Sequence, residues 1–153
     1  MKTYITDDNG NIKVKNLITL LVGMTLTSYI TSFSWLNNNN HKSIIKFVEE
    51  MNKVCPIELS TNLYIDSVTY DGIWEITQYF SARLVDMNQT EFEEFKLVCR
   101  KNMLQEIQRN DKLQEFISEK DIILKRKLLN LNNESQKFEI IIDKKSLNKI
   151  DVH

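Results

Sequence analysis

Residues 63–80 read LYIDSVTYDGIWEITQYF. Two runs, Leu63 to Tyr70 and Ile73 to Phe80, are crowded with β-branched and aromatic residues, the types that fit a pleated surface, and Asp71-Gly72 separates them. An Asp-Gly pair in that position predicts a hairpin with a two-residue primed turn, where glycine takes the positive φ without a Cβ clash. Pairing Tyr70 with Ile73 sets Leu63, Ile65, Trp74, Ile76 and Phe80 on one face. Tyr64, Val68, Tyr70, Ile73 and Tyr79 then share the other with Asp66 and Glu75. The first face is the expected core. The second is rich in tyrosine, which offers wide contact area at little entropic cost, so Tyr64, Tyr70 and Tyr79 are the candidate partner-binding residues.

Helical periodicity brackets this hairpin. Ile44, Phe47, Val48, Met51 and Cys55 recur at three- and four-residue steps and predict an amphipathic helix that Pro56 stops. Thr90-Glu91-Phe92-Glu93 has capping-box spacing and predicts a long helix burying Phe92, Phe95, Cys99, Met103 and Ile107. A short helix burying Leu113, Phe116 and Ile117 follows. Two further strands, 122–131 and 137–143, flank the turn Asn132-Asn133-Glu134-Ser135. The order α-β-β-α-(α)-β-β predicts an α+β fold, one antiparallel sheet with helices packed on one face. Residues 42–145 would form this single domain, with a flexible tail over 146–153.

Asn16 to His41 contains no charged side chain, and Leu17 to Leu36 reads LITLLVGMTLTSYITSFSWL behind Lys13 and Lys15. That profile over residues 1–36 predicts a signal peptide, with Ser32 and Ser34 in the small-residue positions before a cut, or an uncleaved membrane anchor. Residues 37–41 form a polar spacer. Both forms place the domain outside the cytoplasm: periplasmic or secreted when cleaved, inner-membrane anchored when not. The opposing reading is a soluble cytosolic protein that buries the segment as a helix. The alternation around Asn9-Gly10 suggests a small hairpin for which a signal leader has no use.

Cys55 and Cys99 both face inward on their helices. An exported domain with two thiols is expected to join them in one disulfide, worth about 4 kcal/mol in the chain-entropy account. In a cytosolic chain they would be two separate buried thiols.

Of 153 residues, 42% are apolar and 27% charged, and the net charge is −1, so no overall basic field gathers nucleic acid. The glycines at 10, 23 and 72 are isolated and form no phosphate loop, and neither paired histidines nor close cysteines offer a metal site; no cofactor is expected. Two histidines, at 41 and 153, leave the cysteines without a sequence-local base. Asp66 and Glu75, as diagonal neighbours about 6 to 8 Å apart, could serve a small hydrolase, against the plainer reading of two solvated carboxylates. Lys125-Arg126-Lys127 reads as a basic patch on an edge or solvated strand. Asn88-Gln89-Thr90 fits both a glycosylation acceptor and a helix cap.

Met51-Asn52-Lys53-Val54-Cys55-Pro56, Leu63, Asp66-Ser67-Val68-Thr69-Tyr70 and the Tyr79 strand together resemble a group of small exported bacterial α+β proteins of unknown function, over residues 44 to 143. The resemblance implies a compartment and a fold class and carries over no catalytic residue. The chain departs from that group at Trp74-Glu75, where a more polar-aromatic strand is expected, and in its long leader. The resulting expectation is a non-enzymatic, extracytoplasmic interaction module of a bacterial envelope, with a protein partner there and no nucleic acid: an inhibitor, an immunity-type protein or an accessory protein. The membrane is a further partner if residues 17–36 stay attached.

Overall fold

A computed structural model of the chain describes residues 41–60 and 62–148. The targeting segment, the Asn9-Gly10 hairpin and the spacer up to residue 40 lie outside the described residues. The elements run α1 (His41–Val54), β1 (Ile57–Ser60), β2 (Leu63–Tyr70), β3 (Glu75–Ala82), α2 (Gln89–Gln108), α3 (Asp111–Glu119), β4 (Ile123–Asn130), β5 (Lys137–Ile142) and α4 (Lys144–Asn148). The α+β class is as expected, with one sheet and the helices on one face.

The sheet itself differs from expectation. It has five strands in the order β1-β2-β3-β4-β5, and the β3–β4 pair is parallel. Expected as purely antiparallel, it is mixed because α2 and α3 together carry the chain back to the end at which β3 began, so β4 starts beside Glu75. The added strand, β1, is four residues long and follows directly on Pro56. Pro56 ends the helix as predicted, and its bond to Cys55 is cis.

The central hairpin forms with a different closure. Tyr70 pairs with Ile76 rather than Ile73, and the loop closes where the Asp71 N–H donates to the Glu75 carbonyl, 3.0 Å. Asp71 dictates this: one carboxylate oxygen accepts the N–H groups of Ile73, Trp74 and Glu75 at 2.8 to 2.9 Å. Gly72 supplies the left-handed step at φ 85°. Ile73 and Trp74 are thereby lifted out of the sheet, at 56% and 49% exposure, so Trp74 is not in the core.

A bulge between Ile65 and Ser67 adds one residue to β2. Side chains alternate in a strand, so one extra residue exchanges the faces of everything beyond it. Val68 is fully buried with Leu63, Ile65, Ile76 and Phe80, and it leaves the tyrosine face to which simple alternation assigned it.

The helical stripes are as predicted. Ile44, Phe47 and Met51 of α1, Phe92 to Ile107 of α2, and Leu113, Phe116 and Ile117 of α3 join the sheet's inner face in one core. The start of α2 lies two residues earlier than expected, because Asn88 and Glu91 make the reciprocal capping box: the Asn88 side chain accepts the Glu91 N–H, and Glu91 accepts the Asn88 N–H. Leu147 of α4 is also buried, which extends ordered structure beyond residue 145. Asn130 ties the ends of both hairpins together: its side chain accepts the N–H groups of Leu84 and Asn132 and donates to Gln136.

Candidate functional site

Strand alternation gives the sheet a second face that no helix covers among the described residues. Thr77, Tyr79 and Ser81 of β3, Lys125, Lys127 and Leu129 of β4, and Lys137, Glu139 and Ile141 of β5 project from it. Tyr64 joins them opposite Ser81. Tyr79, Lys127 and Glu139 stand in one row across three strands, and the Lys127 ammonium lies 5.5 Å from the centre of the Tyr79 ring, over its face. Around this row is an open groove of about 620 Å³, bounded by Asp66, Leu129, Glu134 and Lys137. The bulge aims Asp66 here, where its carboxylate accepts the Ser81 hydroxyl at 2.9 Å. The floor is an aromatic ring and aliphatic stems; the rim carries both signs of charge.

Two of the three expected tyrosines are on this face. Tyr64 and Tyr79 share it, half-buried, while Tyr70 lies past the bulge on the helix side. There its hydroxyl donates to the Ile73 carbonyl at 3.0 Å and is hydrogen-bonded to His41 Nδ1. His41, expected in the spacer, is the first residue of α1 and stacks on Tyr70 with Trp74 at its edge. Sequence reading missed Lys127 and Glu139 as groove residues; their alternation with Leu128 and Ile140 was the available signal.

Asp66 and Glu75 do not form a catalytic pair. Asp66 stands beside Phe80 and Tyr79, whereas Glu75 opens β3 some four residues away, roughly 13 Å along the strand at ordinary strand rise. Glu75 is engaged elsewhere, at 2.9 Å from Lys125 Nζ and 3.0 Å from the Thr77 hydroxyl. The hydrogen bond from Lys125 holds the Glu75 carboxyl below its usual range, and the same contact raises the Lys125 ammonium. The two-carboxylate hydrolysis is therefore not available to this geometry.

The basic run is not on an edge. β4 lies inside the sheet, and Arg126 points into the core, where its guanidinium meets Glu106 at 3.3 Å and donates from Nε to Gln78 at 3.1 Å. Lys125 and Lys127 take the open face.

Nor is the expected disulfide formed. Cys55 and Cys99 are free thiols. Cys55 sits partly exposed beyond α1, near the Asp66 carboxylate, and burial with that charge raises its pKa. Cys99 lies under α2 among Phe80, Leu128, Phe138 and Ile140, and burial pushes its thiol up to about 12. Neither is an activated nucleophile. Among the described residues, no three His, Cys, Asp or Glu side chains gather to hold a metal ion, and no helix is long and apolar enough to cross a membrane.

Comparison with known protein families and with curated proteins finds no match. Among solved structures, the fold is similar to a crystal structure of a "putative secreted protein" from Pseudomonas aeruginosa, with a TM-score of 0.53 at 14% identity, over 75% of this chain and 98% of that one. At that identity the likeness establishes the α+β fold.

Proposed function

We propose that the chain is a non-enzymatic interaction module acting outside the cytoplasm of a bacterium, an inhibitor, immunity-type or accessory protein of the envelope, and that the sheet face left without a helix among the described residues receives a protein partner. The observation that carries this reading is the groove around Tyr79 and Lys127, with Tyr64 nearby on the same face: a half-buried aromatic floor with a mixed-charge rim suits a protein surface better than a single small anion. The compartment rests on the apolar run Leu17 to Leu36 and is supported by the description of the Pseudomonas protein as secreted. Free thiols are compatible with oxidising surroundings here, because Cys99 is buried and its thiol is held protonated.

Affinity capture from envelope fractions tests the surface. The wild-type chain should retain a stoichiometric partner that Tyr64→Ala with Tyr79→Ala loses while the fold is kept; equal recovery by both would overturn the assignment of this face. Fractionation with intact-mass measurement tests the compartment, and full recovery in the soluble cytoplasm with Met1 retained would overturn it.

A further inference from the structure

The two edges of the sheet are finished differently. On one side β1 is short and irregular, and beyond it the Asn52 amide closes the main-chain groups of Val68. On the other side β5 ends the sheet with six residues. Its hydrogen-bonding phase follows from the turn, where the Asn130 N–H donates to the Gln136 carbonyl at 3.0 Å. Antiparallel ladders alternate, so the pairs Leu128 with Phe138, Arg126 with Ile140 and Leu124 with Ile142 carry the bonds to β4. Lys137, Glu139 and Ile141 must then turn their N–H and carbonyl groups away from the sheet. Of these, the Ile141 carbonyl accepts from Arg100 at 3.1 Å, which fits this phase. The groups of Lys137 and Glu139 remain on an open edge among the described residues.

We propose that a second copy of this chain adds to the edge, antiparallel, with the two-fold axis at Phe138. Charge selects both the occupant and the register. With the axis at Phe138, Lys137 falls opposite the partner's Glu139 and Glu139 opposite the partner's Lys137, each pair exchanging two main-chain hydrogen bonds. Moving the axis one residue keeps the same phase but sets Glu139 against its own copy, or Lys137 against its own copy, which like-charge repulsion disfavours. Both side chains are exposed, and among the described residues neither forms an ion pair. Pairing would join two five-stranded sheets into one and place the two grooves, each bounded by Lys137 and Glu139, on a continuous face. This goes beyond the proposed partner surface and stands without it.

Sedimentation of the full chain across a concentration series, with two charge reversals, tests the inference. Wild type should dimerise, and Lys137→Glu and Glu139→Lys should each weaken self-association at least about tenfold. An equimolar mixture of the two variants should dimerise again, because Glu at 137 and 139 then faces Lys at 139 and 137. Recovery in the mixture also shows that both variants fold. A wild-type monomer at about 100 μM, a dimer indifferent to either reversal, or a mixture that stays monomeric would each overturn the proposal.

Discussion

The side chain of Asn52 in α1 imitates a strand for Val68 in β2, donating to the Val68 carbonyl at 2.7 Å and accepting its N–H at 2.9 Å. β1 pairs with β2 only as far as Ile65, so without this amide both groups of Val68 would face an unfilled edge. Asn52→Ala should cost about 1 to 2 kcal/mol, read as a lower urea midpoint at unchanged slope. Asn52→Asp should cost at least as much, since a carboxylate cannot donate to the carbonyl.

A second prediction concerns the Glu106 and Arg126 pair, whose side chains are 4% and 11% exposed. Glu106→Leu strands a guanidinium in the core and should destabilise by about 3 kcal/mol. Adding Arg126→Met should return part of that loss. It cannot return all of it, because Gln78 then lacks its donor. Denaturation of both variants checks the sign of the coupling.

The thiols should differ in reactivity. A maleimide should label Cys55 in the native chain and Cys99 only after unfolding, and reductant should leave the intact mass unchanged. Burial raises the Cys99 pKa from 9.0 to about 12, so the native state holds its proton more tightly than the unfolded state. The corresponding stability is present below about pH 9 and is lost as pH rises towards about 12. The stability difference between wild type and Cys99→Ala should shrink over that interval.

At the acid end, four carboxylates among the described residues lie below their usual range, the exposed Glu50 through its hydrogen bond from Lys53. Glu75 is held there by Lys125, Asp143 by the Ser146 hydroxyl and N–H, and Asp71, against the opposing effect of burial, by the N–H groups of Glu75, Ile73 and Trp74. Depressed values mean that their stabilisation is complete above the unfolded range near pH 4 and disappears as pH falls through the folded values. Asp71→Asn keeps an acceptor for the loop and removes one titration, so its acid unfolding should be shallower than wild type.

Much of the fold could be read from periodicity. The helical stripes and the strands of both hairpins depend on local spacing, which burial then enforces, as Phe95 and Met103 illustrate. Three features depend on more than spacing. The Asp66 bulge shifts a period-two pattern by one residue, which moved Val68 into the core and Tyr70 off the candidate face. The Asp71 carboxylate organises a loop longer than the Asp-Gly pair suggests. The parallel partner of β3 is set by how α2 and α3 return the chain, and no neighbouring residue reports that. Tyr64 and Tyr79 were legible as one surface; Lys127 and Glu139 become its neighbours only through cross-strand register.

The parallel seam also has a kinetic consequence. Every contact between β3 and β4 joins positions far apart in the chain, Glu75 with Ile123 at one end and Ala82 with Asn130 at the other, whereas each hairpin closes over a short turn. Loop-closure entropy makes such distant contacts the expensive ones to form first. Refolding should therefore zip the two hairpins early and weld them late, so that substitutions that weaken the β3–β4 pairing accelerate unfolding more than they retard folding.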